Sequence, residues 1–195
     1  MGTQTREIHL AENTSVLLTD TVGFIRKLPH HLVASFRATL EEVAEADLLL
    51  HVIDASHPAW EEHRTVVNQV LAEIGAGETP VLHVFNKIDQ VPEDRLIALE
   101  TRIQNLVPGS VFVSAVTDGG LEPLLRSLLA QARARRPLSQ IRLPLSDGKL
   151  LAEIHREAEV LEQRHEGDEL VITARLGDSL AGKLRRAGAG VTVAG

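Results

Sequence analysis

The sequence predicts an α/β protein: a doubly wound, mostly parallel sheet followed by a small α+β domain. Three observations predict it. Apolar runs of strand length alternate with amphipathic helical stretches from the start of the chain to about Ala134. Three of those runs end in polar residues, Asp20, Asn86 and Ser114, where open α/β sheets place their ligands. The pattern then breaks at Arg133-Ala134-Arg135-Arg136-Pro137, which divides residues 1–136 from residues 137–195.

The elements follow in order. Ile8 to Leu10 reads as a short strand, Asn13-Thr14 as a turn, and Ser15 to Thr19 as a buried strand ending at Asp20. Beyond the loop from Asp20 to Pro29, Leu32, Val33, Phe36, Leu40 and Val43 recur at helical spacing. Leu48 to Ile53 is apolar without alternation, which suits a strand covered on both faces. A helix with Val66, Val67, Val70, Leu71 and Ile74 inward follows, and Gly75 and Gly77 stop it. Val81 to Phe85 is the next strand, then a helix from about Pro92 to Leu106, then strand Val111 to Val113. The helix after Gly119-Gly120 carries Leu121, Leu124, Leu125, Leu128 and Leu129 on one face. In the second domain, Ile141 to Leu145 reads as a strand and Gly148 to Arg164 as a helix with Leu150, Leu151, Ile154, Ala158 and Leu161 inward. Ser146-Asp147-Gly148 is its turn and start. Glu169 to Leu176 alternates, and a short helix and the strand Val191 to Val193 close an α+β unit of ferredoxin-like kind.

Composition narrows the function classes. No cysteine occurs among the 195 residues, which excludes disulfides and thiolate metal sites and fits a reducing cytoplasm. No apolar run is long enough for a bilayer, so no membrane partner is expected. A net charge of −7 and an aromatic content of 3% argue against a free-standing DNA or RNA binder that stacks bases. Two basic clusters, Arg133/Arg135/Arg136 and Lys183/Arg185/Arg186, read first as solvated helix ends and only second as contacts for RNA phosphates. His30-His31 and His57/His63 lack ligand-like partners at convincing spacing.

The sharpest chemical signal is Asn86-Lys87-Ile88-Asp89, directly after a strand. A carboxylate at Asp89 can accept hydrogen bonds from the N1 and N2 donors of guanine, a pair that adenine lacks. Asn86 would tie neighbouring loops, and the Lys87 stem would cover a face of the base. An ordinary turn is the competing reading, because Asn and Asp favour turns. Asp20-Thr21-Val22-Gly23 fits a phosphate-sensing loop: Asp20 could hold a water on Mg²⁺, and Gly23 lets its N–H approach a γ-phosphate. A turn aspartate before a loop glycine would look the same. In Ser114-Ala115-Val116, the Ala115 N–H could donate to guanine O6. Each motif is common alone. Their order, each at the end of a strand, is that of a guanine-nucleotide fold.

Residues 19–29 (TDTVGFIRKLP) and 35–42 (SFRATLEE) are very similar to the second switch of the HflX GTPases, and residues 46–56 (ADLLLHVIDAS) also match that family. The resemblance covers a G domain from its second strand onward; the family's small C-terminal domain would account for Pro137 to the end. It implies a P-loop GTPase-like fold, Mg²⁺ with GTP or GDP as ligands, and GTP hydrolysis coupled to the large (50S) ribosomal subunit in splitting, rescue or biogenesis. The expected state is a monomer. Phe24 stands where many small GTPases place a water-orienting glutamine, and HflX-like sequences share a hydrophobic residue there. Either the water is oriented by other groups or Phe24 anchors the loop.

No G-x-x-x-x-G-K-[ST] occurs in the sequence. The resemblance implies that this loop, the first-switch threonine, the first sheet strand and a large N-terminal domain precede Met1. The missing strand would lie between those ending at Asp20 and Asp54, so the chain alone is expected to be poorly stable and to bind GTP weakly. Three readings compete: an HflX-type GTPase known through a truncated reading frame, a non-hydrolysing remnant that recognises guanine or a ribosomal surface, and a different P-loop-fold enzyme without its loop.

Overall fold

The computed structural model describes residues 4–20, 43 and 45–194. The second-switch stretch from Thr21 to Glu42, and with it most of the helix expected through Leu32 to Val43, lies outside the described residues. The chain forms two compact units, one of Met1–Thr5 with Thr19–Leu125, the other of Arg6–Leu18 with Arg126–Gly195. Strands β1 (Gln4–Ala11) and β2 (Thr14–Asp20) form a two-stranded sheet of their own, joined by a tight turn in which Asn13 takes a left-handed φ of 54°. Short polar side chains such as Asn tolerate that conformation best after glycine.

In the first unit, β3 (Leu49–Asp54), β4 (Val81–Asn86) and β5 (Val111–Phe112) make a parallel sheet in that order. Helix α1 (Trp60–Glu73) connects β3 to β4, and α2 (Glu93–Leu106) connects β4 to β5, as parallel pairing requires. Gly75, with φ at 80°, follows the end of α1. Glu93 and Asp94 occupy the first turn of α2, where carboxylates favour the positive end of the helix dipole. The core gathers Ile53, Ala55, Trp60, Phe85, Ile103 and Val107. The Trp60 ring meets Phe85 edge-on at 5.1 Å, and Phe85 stacks on Phe112 at 5.8 Å. This is the geometry that aromatic quadrupoles favour.

Three expectations about burial change. The strand ending at Asp20 is not buried: Leu17 is 74% exposed. Nor is β3 covered on both faces, for Val52 is 60% exposed while Ile53 is buried. Among the described strands β2 pairs only with β1, and β3 only with β4, so neither sits inside a wider sheet. Helix α1 buries Trp60 and Leu71 and leaves Val66 exposed, and helix α3 (Glu122–Ala134) buries none of its leucines fully.

The second unit runs β6 (Leu138–Pro144), α4 (Gly148–Glu157), β7 (Glu159–Glu166), β8 (Glu169–Arg175), α5 (Asp178–Arg186) and β9 (Gly190–Val193). The order β7-β8-β6-β9, antiparallel throughout, is the ferredoxin-like arrangement. Its core includes Ile141, Leu143, Ile154, Leu170, Ile172, Leu176 and Leu184. The alternation of Leu170, Ile172, Ala174 and Leu176 is buried as read. Asp147 caps α4 by accepting the Leu150 N–H at 3.1 Å. The helix expected to reach Arg164 ends at Glu157 instead, and Leu161 is 54% exposed on β7. The stretch from Glu159 to Glu166 holds good helix formers, but pairing with β8 across the Gly167-Asp168 turn overrides that propensity. Arg133 forms a forked pair with the buried Glu159, and Arg136 donates to the Asn13 carbonyl at 3.0 Å. Lys183 lies 3.4 Å from Glu153. Arg133, Arg136 and Lys183 of the two basic clusters are therefore engaged within the protein.

Candidate functional site

Parallel strands end side by side, so the residues after β3, β4 and β5 must form one row of loops. The register sets Asp54 opposite Asn86, and Phe85 opposite Phe112. The ladder continues past the strands: the Ala55 N–H donates to the Asn86 carbonyl at 2.8 Å, and the Ile88 N–H to the Val113 carbonyl at 3.3 Å. Strong pairing in the sheet thus brings Asn86, Lys87, Asp89, Ser114 and Ala115 together from sequence positions up to 29 residues apart.

Asn86 is the tie. Its Oδ1 accepts the Lys87 N–H at 2.8 Å and the Ala115 N–H at 3.1 Å. The Lys87 bond supports a left-handed backbone at that residue, with φ at 67°, a conformation that costs a β-carbon-bearing residue about 1 kcal/mol. Left-handed Lys87 turns the chain sharply into a single 3₁₀ turn, Ile88–Gln90, which carries Asp89. The Ser114 hydroxyl donates to Asp89 Oδ1 at 2.6 Å. A short charge-assisted bond of this kind orients the carboxylate while leaving its other oxygen for a ligand.

The loop after β5 is closed by a tight turn. The Ser114 N–H donates to the Gly120 carbonyl at 3.2 Å, and the Gly120 N–H to the Thr117 carbonyl at 3.1 Å. A β-carbon on Gly120 would stand 2.2 Å from the Ser114 carbonyl oxygen and 2.4 Å from the Thr117 hydroxyl. Only glycine allows that approach. Val116 projects from this loop 81% exposed, an apolar surface beside the Asn86 and Asp89 side chains' loops. The Ala115 N–H, read from the sequence as a donor to guanine O6, is already bound by Asn86, so a base oxygen would share or exchange that bond.

Asp54 ends β3, where an aspartate can cap the loop that follows. It does cap: its Oδ1 accepts the Ser56 N–H at 3.0 Å and the Ser56 hydroxyl at 2.6 Å. Its Oδ2 also meets the Lys87 ammonium at 2.7 Å. Burial works to raise the Asp54 pKa, but the bonds from Lys87 and Ser56 outweigh it and hold the carboxyl below its usual range. Its place at a strand end was the available signal; its register with Asn86 was not.

Asp20 sits at the exposed end of β2, in a different sheet from the row of loops. Thr21, Val22, Gly23 and Phe24 lie outside the described residues. The Asp20 carboxylate supplies the hard oxygen that Mg²⁺ prefers. Among the described residues no group of three His, Cys, Asp or Glu side chains gathers to hold a metal ion. No helix among them is long and apolar enough to cross a membrane.

Comparison with known proteins finds relatives of this chain. A family model described as 50S ribosome-binding GTPase matches residues 2–87. A GTPase HflX of Magnetococcus marinus is 44% identical over 182 residues, covering 92% of this chain and 41% of the relative. The GTPase HflX of Escherichia coli K12 is 42% identical over 151 residues, covering 77% of this chain and 35% of the relative. A solved structure, the SsGBP and GDP complex, superposes with a TM-score of 0.56 at 30% identity, over 67% of this chain and 42% of that one. The chain thus spans less than half the length of the relatives it matches.

Proposed function

Because this chain belongs to the HflX family of GTPases, we propose that its row of strand-end loops reads guanine and takes up GTP and GDP. The observation that carries this reading is the double tie of Asn86 to Ala115 and of Asp89 to Ser114. Together they fix a carboxylate, an amide and a backbone N–H around one position in front of the sheet.

The division of labour follows from the donors and acceptors. The Asp89 oxygen not bound by Ser114 accepts from the base N1 and N2 donors. An adenine would leave that carboxylate unpaired, so guanine is preferred by the cost of the mismatch. Asn86 holds the two loops at a fixed spacing. The Lys87 stem and Val116 offer apolar cover for the faces of the base. Mg²⁺, when it arrives with the nucleotide, offsets phosphate charge, and the motif Asp20-Thr21-Val22-Gly23 is assigned to that end by its sequence. In the whole protein this binding serves GTP hydrolysis coupled to the large ribosomal subunit, as the family model's description and the HflX relatives suggest.

Calorimetry on the chain with GDP, ADP and xanthosine diphosphate tests the reading. GDP should bind and ADP should not. Asp89→Asn should move the preference from guanine to xanthine, because an amide offers the donor that the xanthine O2 requires. Equal binding of GDP and ADP would overturn it, as would an Asp89→Asn variant that keeps its guanine preference.

A further inference from the structure

Asp54 and Ser56 form a built arrangement that the guanine reading above does not use. The two oxygens of Asp54 have separate tasks. Oδ1 is held twice by Ser56, through its N–H and its hydroxyl, so the carboxylate cannot swing. Oδ2 is thereby aimed at the Lys87 ammonium, 2.7 Å away and 33 residues along the chain. Lys87 itself is fixed at the other end by its left-handed backbone and the Asn86 bond. A lysine stem anchored at both ends has few rotamers left.

Stability does not explain this arrangement. The Lys87 and Asp54 side chains are 46% and 32% exposed, and ion pairs so open to water contribute little to folding. Their effect is on geometry: the pair decides where the stem of Lys87 lies before any ligand arrives. Resting on the guanine reading, we propose that Asp54, oriented by Ser56, is a positioning residue for nucleotide binding. It holds the Lys87 ammonium at the end of β3 and so lays the Lys87 stem across the mouth of the site as a preformed wall for the base. Preorganisation of this kind raises affinity by removing the ordering cost at the moment of binding.

The test is a double-mutant cycle read by GDP calorimetry on the full chain. Asp54→Ala should weaken GDP binding about fivefold, while its urea midpoint falls little further than that of Ser56→Ala, which loses the hydroxyl bond of the same cap. In a Lys87→Ala background the same change should have no further effect. Ser56→Ala should give a smaller loss, and Asp54→Glu should restore part of the affinity. Equal affinity of Asp54→Ala and the parent chain overturns the proposal, and so does an additive loss in the Lys87→Ala background. A parent chain that binds no GDP overturns the guanine reading, and this proposal with it. The ion pair is checked separately without nucleotide, from the carboxyl carbon of Asp54 followed by NMR. It should titrate below the usual aspartate range in the parent and move up in Lys87→Ala. No movement would remove the contact on which the positioning rests.

Discussion

The Asn86 amide oxygen accepts the Ala115 N–H at 3.1 Å, so one side chain ties the loop after β4 to the loop after β5. The same oxygen takes the Lys87 N–H, and truncating it releases both donors. Asn86→Ala should therefore lower the stability of the first unit by about 1–2 kcal/mol, the range for two partly solvated hydrogen bonds. Urea unfolding followed by Trp60 fluorescence reads this directly. An unchanged midpoint would mean that the loops are held without Asn86.

Gly120 marks a second constraint on the same loop. An alanine there drives a β-carbon against the Ser114 carbonyl, which is backbone and cannot swing aside. Gly120→Ala should cost about 1–3 kcal/mol and weaken guanine binding, because the loop carrying Ser114 and Ala115 must move. Gly148→Ala is the control. No atom lies within 4 Å of its added β-carbon, and the change should fall within about 0.5 kcal/mol of the parent or stabilise slightly. If both variants melt alike, the close approach at Gly120 is not limiting.

His51 and His83 face each other across β3 and β4, their rings 5.5 Å apart. Burial, then His83, then Arg64 push the His51 pKa down to about 4 from 6.5, and burial, then Arg64, lower His83. Both folded values lie below the unfolded one, so folding favours the neutral rings. This stabilisation is complete above pH 6.5 and is lost as the pH falls from there toward 4. For His51 alone the full loss is about 3 kcal/mol. Urea midpoints measured across that window should decline in the parent chain and decline less in His51→Leu, where His83 still titrates below its ordinary value. A flat parent profile would contradict the pairing.

Every member of the second core lies between Ile141 and Ala189. Residues 137–195 should accordingly fold as a separate domain, giving dispersed amide signals on their own. Ile154, fully buried beneath the sheet, provides the stability check: Ile154→Ala should cost about 2–5 kcal/mol. A collapsed spectrum for the isolated segment would show that it depends on Arg6–Leu18 or α3, with which it shares a compact unit.

The amino-acid sequence by itself determined the alternation of strands and helices up to Ala134, the polar residues at the strand ends and the tetrad from Asn86 to Asp89 that is proposed to read guanine. These are local: periodicity of 2 or 3.6 and a turn after an apolar run are written in neighbouring residues. The alternation that buries Leu170, Ile172, Ala174 and Leu176 is of the same kind. Tertiary structure alone decided the rest. Glu159 to Glu166 has helical propensity and becomes strand because β8 offers it a ladder. Leu17 and Val52 look like core residues and lie exposed, because burial depends on what packs above a strand rather than on the strand. The meeting of Asp54 with Lys87, and of Asp89 with Ser114, required a register between strands. Register is fixed by pairing across the sheet, between residues whose separation along the chain carries no sign that they will touch.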